Sequence, residues 1–368
     1  MLPTRINKRA KTAFALGVFC ALSVAAQAQA CGNRGELDII YCDENRDLVA
    51  DSPRSPSKFK DPAELIFSYS PIEDPIMFAK MWRPFADYLG RCVGKPIRFR
   101  AIQTNTTEVD ALRAGNLHIA AFSTGATGFA VNLAGAVPFA AKGVAEGIQG
   151  YRLIVLVRSD QPYASLADLK GKTIAHTSVT SNSGNLAPRA LFPAHGLKPD
   201  VDYRVVYSGK HDQSVLGVSS GDYDAAVLAS SVFDRMVRRG QVKGDDFRII
   251  FRSEPFPTSA FVHAHDLAPD LVRRVRECFF NFQFNDELKN VFDGATRFVP
   301  IDYQRDWSAV RQGQRHGLQL CQLWQSHQPR FSTEREKETR RVGRCQQPYL
   351  ARLPACPSSP ARYSGWRS

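Results

Sequence analysis

Apolar residues along the chain gather into short runs of strand length that alternate with longer amphipathic stretches. Leu65-Ile66-Phe67-Ser68-Tyr69 is the first such run, and Asp74-Pro75 then supplies an N-cap and a first-turn proline for a helix reaching about Leu89. The alternation continues with a strand over 97–101, a helix over 106–114 stopped by Gly115, a buried strand over 117–122, a short helix over 125–133 and a strand over 137–141. Strand and helix in regular succession predict parallel strands joined by crossover helices, hence an α/β sheet.

A long apolar strand over 153–157 opens a second alternation. It carries a helix over 166–170, a strand over 173–177, a helix over 183–192, a strand over 204–207, a helix over 211–220, a strand over 225–229, a helix over 231–239 and a strand over 247–251. A strand over 260–263 and an amphipathic helix over 271–282, with Leu271, Val275, Cys278, Phe279 and Phe282 on one side, close the pattern. Two α/β sets predict two lobes: residues 63–155 as the first part of lobe I, 156–257 as lobe II, and 258–311 as a return to lobe I. Residues 31–62, polar and proline-rich from Asp43 on, are expected to form an extended lead-in. From Gln312 to Ser368 periodicity stops and Gln, Arg, Ser and Pro take over; this tail is expected to be disordered, or the product of a shifted reading frame.

Charge changes the picture only at the ends. The formal net charge is +12, but four basic residues without an acid lie in 1–30 and ten basic against three acidic lie in 312–368. The near-neutral body between them argues against a surface that tracks nucleic-acid phosphates. Residues 1–30 have the basic start, apolar run and small-residue cleavage sites of a secretory signal peptide, and the apolar run is short for a membrane span. Cleavage near Ala30 would leave Cys31 at the mature N-terminus, where a lipid anchor is conceivable. Of eight cysteines, Cys20 departs with the signal and Cys321, Cys345 and Cys356 lie in the tail. Cys31, Cys42, Cys92 and Cys278 remain, an even set that suggests two disulfides in an exported protein. Three connectivities are open, and Cys31–Cys42 with Cys92–Cys278 is the favoured one. No Cys-x-x-Cys spacing supports a metal or redox site, and no cofactor is implied.

Candidate chemistry sits in the turns. Ser178-Val179-Thr180-Ser181-Asn182-Ser183-Gly184 follows a strand and opens a helix, so hydroxyls, an amide and orphan backbone N–H groups converge there. The segment holds neither Lys nor Arg, which suits a small tetrahedral oxyanion bound by neutral donors. Ser208-Gly209-Lys210-His211-Asp212-Gln213-Ser214 repeats the arrangement with His211 at a helix start, and Phe122-Ser123-Thr124-Gly125 does so in the first lobe. Each turn alone could be a simple helix cap; three at strand ends, where open α/β sheets bind ligands, point to a site.

Several stretches in order, among them YCDENRDLVAD, FSYSPIEDP, LRAGNLHIAAFSTG, SNSGNLAPRALF, SGKHDQSVLGV and FVPIDYQRDW, resemble the periplasmic phosphate/phosphite/phosphonate substrate-binding proteins of ABC transporters, from about Cys31 to Trp307. The resemblance implies a type II periplasmic-binding-protein fold, two α/β lobes with a hinge and an interlobe ligand cleft, and delivery of ligand to an ABC permease in the inner membrane. It also implies Ser181, Asn182, Ser183 and Gly184 as the oxyanion segment, His211 and Ser123 or Thr124 as further contacts, and Tyr69, Asn105, Thr258 and Ser259 as second-rank positions. Aminophosphonate binders of the family set acids against the ligand's ammonium. The corresponding Ala229-Ser230-Ser231-Val232 has none, which leans toward phosphate, phosphite or a simple phosphonate.

The expected protein is a periplasmic monomer without catalysis. A ligand-sensing partner of a membrane receptor is the alternative. A serine hydrolase using Ser181 or Ser183 with His211 is disfavoured, because no G-x-S-x-G elbow and no orienting Asp accompany them.

Overall fold

The computed structural model describes residues 31–70 and 75–315. The leader, the Asp74 cap, and positions 316–368 with Cys321, Cys345 and Cys356 lie outside the described residues. In chain order the first elements are β1 (Leu65–Tyr69), α1 (Pro75–Val93), β2 (Ile97–Phe99), α2 (Asn105–Arg113), β3 (Ile119–Phe122), α3 (Thr124–Ala134), β4 (Ala136–Val144) and β5 (Gly147–Ile148). A second body follows: β6 (Gly150–Arg158), β7 (Thr173–His176), α4 (Ala187–Leu191), β8 (Arg204–Tyr207), α5 (His211–Ser220), β9 (Ala225–Ala229), α6 (Ser230–Arg238) and β10 (Phe247–Pro257). The chain returns through β11 (Ala260–Ala264), α7 (Pro269–Asn281), α8 (Asp286–Val291), β12 (Arg297–Pro300) and α9 (Tyr303–Asp306). One sheet runs β12-β4-β11-β3-β1-β2 with β5 on β4, the other β10-β6-β9-β7-β8.

The expectation of parallel strands holds for β1 with β2 and β3, and for β7 with β8 and β9. It fails where the chain passes between lobes: β11 is antiparallel to β3 and β4, and β6 to β9 and β10, while β12, reached from β11 through α7 and α8, is antiparallel to the β4 that lies between them. The reason is connectivity. A parallel neighbour needs a crossover, usually a helix, whereas the crossings β5–β6 and β10–β11 are extended. β6 belongs along its whole length to the second sheet, so the first crossing lies at Gln149–Gly150, earlier than the 155/156 boundary. There Gly150 faces Pro257 and Thr258 N–H donates to Gln149 O at 3.2 Å, which joins the two crossing segments as a hinge.

Lobe I is built around rings. Phe67, Trp82, Phe85, Phe261, Phe279 and Phe298 are fully buried, each ring burial contributing about 1.5–3 kcal/mol before the entropy cost. Over this core Cys92 on α1 is bonded to Cys278 on α7. Cys31 is bonded to Cys42, so the Cys31 sulfur is not left as a thiol for a lipid thioether. The lead-in is not extended at its start: residues 43–51 coil into a tight loop in which Arg46 (φ 61°) and Leu48 (φ 72°) are left-handed and Asp43 is buried. At the other end, residues 308–315 are helical and Gln314 is buried, its amide donating to Gly125 O at 2.6 Å, so the packed chain runs past Gln312. Among the described residues no helix is long and apolar enough to cross a membrane.

Candidate functional site

The expected helix over 183–192 opens as a π-turn, Asn182–Leu186, before α4. Leu186 N–H reaches back five residues to Ser181 O at 2.9 Å. Pro188 has no N–H to give to Gly184 O, and that carbonyl instead accepts from Thr177 N at 3.0 Å. The wide turn therefore has a cause in sequence, and π-turns concentrate at functional sites. Ser181 caps it, its hydroxyl accepting from Gly184 N at 3.1 Å.

His211 fixes the polarity of that hydroxyl. Ala229 N–H donates to His211 Nδ1 at 3.2 Å, which makes Nδ1 the acceptor and leaves the proton on Nε2. Nε2 lies 3.3 Å from Ser181 Oγ and donates to it. Burial, with a smaller contribution from Arg235, pushes the imidazole pKa down to about 3, so the ring stays neutral. Ser181 thus accepts twice, from Gly184 and His211, and turns its own proton toward the cavity.

Lobe I faces this turn across the cleft with the start of α3. Thr124 Oγ1 donates to Pro257 O at 2.8 Å, and Trp307 Nε1 donates to Thr124 O at 3.0 Å. Gly125 presses against the opposite lobe: a Cβ there would overlap Thr180 O and Asn182 N. Asn105 bridges the lobes, accepting from Ser70 Oγ at 2.9 Å and donating to Thr180 Oγ1 at 3.2 Å.

The cavity between the lobes has a volume of about 60 Å³. Of the residues expected from sequence, Tyr69, Ser123, Thr124, Ser181, Asn182, His211, Thr258 and Ser259 line it. Ser183, Gly184 and Asn105 stand behind the wall. Gly184 is packed so closely on Thr177 that a side chain would overlap Thr177 Oγ1, and the buried Ser183 hydroxyl lies beside Tyr151 without a regular hydrogen bond. Gly184 shapes the turn.

The structure adds wall residues that the motifs did not supply: Lys142, Tyr151, Arg235 and Asp293. Tyr151 accepts from Asn182 Nδ2 at 3.2 Å, and burial raises its phenol pKa, offset in part by contacts with Thr124, Asn182 and Ser183. Lys142 donates to Tyr69 Oη at 2.6 Å and lies 4.3 Å from the centre of the Phe292 ring. A lysine inside the buried run Ala140-Ala141-Lys142-Gly143 was a legible signal, since an interior strand seldom carries a charge without a use. Arg235 was legible as a charge one turn from Val232 on an amphipathic helix. Asp293 was not, because the nearest stretch of the second lobe read for chemistry, Ala229 to Val232, ends 61 residues before it. It is an acid on the cleft wall outside the acid-free stretch Ala229 to Val232, and it pairs with Arg235 at 3.3 Å and with Arg238.

A family model described as "ABC transporter, phosphonate, periplasmic substrate-binding protein" matches residues 67–307. The phosphate-import protein PhnD of Mycolicibacterium smegmatis is 25% identical over 241 residues, 62% of this chain and 75% of that one. Among solved structures, a binding-protein component of an ABC phosphonate transporter from Pseudomonas aeruginosa superposes with a TM-score of 0.63 at 21% identity, over 70% of this chain and 87% of that one. PhnD1 from Prochlorococcus marinus, in complex with methylphosphonate, gives 0.62 at 16% identity over 69% and 98%. These likenesses place the two lobes in the type II periplasmic-binding-protein fold.

Proposed function

Because the chain belongs to the periplasmic substrate-binding proteins of phosphonate ABC transporters, we propose that its cleft captures phosphate, phosphite or a phosphonate without an amino group and delivers it to an ABC permease. The observation that carries the choice of ligand is the polarity of Ser181: with both acceptor positions engaged by Gly184 N–H and His211 Nε2–H, the hydroxyl offers the cleft a donor. Ser181 and Asn182 on one lobe and the α3 start on the other then close over an oxyanion. Each hydrogen bond to the charged ligand contributes about 1.5–3 kcal/mol, set against the cost of closure. Phosphate for the Mycolicibacterium relative and methylphosphonate for the Prochlorococcus one span the same ligand range.

An ammonium group would need a carboxylate of its own. Asp293, the acid on the wall, is already shared by two guanidinium groups. Hydrolysis finds no support either, since a general base needs a lone pair on the nitrogen facing the serine and His211 holds its proton there.

Calorimetry of the exported protein tests this with phosphate, phosphite, methylphosphonate and 2-aminoethylphosphonate. Saturable heat is expected from at least one of the first three, with aminoethylphosphonate at least tenfold weaker. Ser181→Ala should weaken the best ligand about 10- to 100-fold, the loss of one charge-assisted bond. Preference for the amine, or full affinity in Ser181→Ala, would overturn the proposal.

A further inference from the structure

The loop between the Cys31–Cys42 disulfide and the first strand has no part in the cleft, yet its residues are not those of a spacer. Asp43, Asn45, Asp47 and Asp51 stand at the first, third, fifth and ninth positions of a nine-residue turn, and Val49 at the seventh offers a backbone carbonyl. That is the oxygen spacing of a calcium loop, in which side chains at 1, 3, 5 and 9 and a carbonyl at 7 converge on one ion. The backbone is wound to match: Leu48, at the sixth position where glycine makes the sharp turn in such loops, is left-handed at φ 72°, as is Arg46 at φ 61°.

Independent of the spacing is the state of Asp43. The residue is 1% exposed and its Oδ1 has no hydrogen-bond partner. Its other oxygen, Oδ2, accepts from Leu48 N at 3.3 Å, which pins the carboxylate within the loop. A buried carboxylate oxygen left without a donor is costly unless something positive completes it. No Lys, Arg or His is paired with Asp43, Asp47 or Asp51 among the described residues; the Arg54 guanidinium bonds to Glu44 instead. Asn45 accepts from Asp47 N at 3.1 Å, and Asp51 Oδ2 accepts from Glu44 N at 2.9 Å.

We propose that residues 43–51 form a calcium site, with Asp43, Asn45, Asp47, the Val49 carbonyl and Asp51 as ligands. The donor set is oxygen only and carries three carboxylates, which favours a hard divalent ion, and the irregular loop suits calcium over the smaller, strictly octahedral magnesium. The twelfth position, where calcium loops place a bidentate Glu, is Arg54. The affinity is therefore that of the weaker extracellular sites, on the order of 0.1–1 mM. The ion's role is to clamp the N-terminal loop onto lobe I, beside the Cys31–Cys42 bond and apart from the ligand cleft.

The test is equilibrium dialysis of the exported full chain against radioactive calcium, with thermal unfolding in chelator, 10 mM calcium and 10 mM magnesium. About one equivalent of calcium should bind, and calcium should raise the midpoint by on the order of 3–6 °C, magnesium by less. Asp43→Asn risks misfolding, so the decisive variant is Asp47→Asn, whose exposed amide can still accept from Val49 N. It should lose calcium binding and the midpoint shift while keeping its phosphorus ligand affinity. No saturable uptake up to 10 mM, or undiminished uptake by an Asp47→Asn/Asp51→Asn double variant, would overturn the site.

Discussion

Single side chains in this protein act through the direction of one proton. At Ser181 that direction follows from Ala229 N–H, which lies on another element and sets the histidine tautomer. The type and position of Ser181, Asn182 and His211 were legible as hydroxyl, amide and imidazole groups at strand ends, whereas the tautomer was not, because it depends on a backbone amide 18 residues from His211. Glu108 is a second residue whose state is set by its surroundings. It is 0% exposed, neither carboxylate oxygen has a regular hydrogen bond among the described residues, and burial raises its pKa to about 8 against a nearby Ser68 that lowers it. A native pKa above the unfolded one means that the folded state binds more protons, so stability is highest below about pH 4.5 for this group and falls as pH rises toward 8. The buried His176, His211 and His263, with pKa values lowered to about 3, 3 and 4, act in the opposite sense and only below about pH 6.5. Between pH 6.5 and 8 Glu108 therefore governs the slope among these groups. Glu108→Gln should flatten urea-unfolding stability across that window and stabilise the protein by a few kcal/mol at pH 8. Parallel pH profiles for the two proteins would show that the carboxyl is not held protonated.

At the scale of elements, the short apolar runs predicted nearly every strand, because buried strands in α/β sheets read as continuous Val, Ile, Leu and Ala. Strand direction was less legible: periodicity says nothing of whether a helix or an extended crossing joins two strands, and β6 and β11, each entered from an extended crossing, are antiparallel to their neighbours for that reason. The start of α3 shows how an element boundary becomes part of the site. Gly125 is in helical conformation, so alanine is tolerated by the backbone and would by itself favour the helix by about 0.5–1 kcal/mol. Its Cβ, however, would stand 2.7 Å from Asn182 N, 3.0 Å from Leu186 Cδ1 and closer still to Thr180 O, all on the facing lobe. Backbone cannot yield there without parting the lobes. Gly125→Ala is expected to keep or slightly raise the thermal midpoint while lowering ligand affinity at least 100-fold, with small-angle scattering showing an open form at saturating ligand. Wild-type affinity in this variant would mean that the α3 approach is not part of the bound state.

For the whole molecule, binding strength depends on how often the two lobes already stand closed, since affinity is reduced by the fraction of molecules that are not competent. Asn105–Thr180 is one contact that favours closure without ligand, and Asp293 is a stronger one. It projects from the loop after α8 in lobe I to Arg235 at 3.3 Å and to Arg238, both on α6 of lobe II. Gln149, at the hinge, donates to its carbonyl at 2.6 Å. The residue is left-handed at φ 54°, a conformation that Asp and Asn tolerate better than most, so Asp293→Asn removes the charge and leaves the backbone in place. Asp293 is partly solvated at 27% exposure, and water screens the pair, so each ion contact is worth about 0.2–1 kcal/mol rather than the value for a buried bridge. Asp293→Asn removes both contacts, so the ligand-free protein should shift toward the open form by about 2- to 30-fold in the closed-to-open ratio, read by distance measurements between labels on the two lobes. Raising salt should move the wild type the same way and leave Asp293→Asn nearly unchanged, because only the wild type has the ion pair to screen. If instead both proteins respond alike to salt and show one distance distribution, the lobes are held by packing around the hinge and the bridge merely follows.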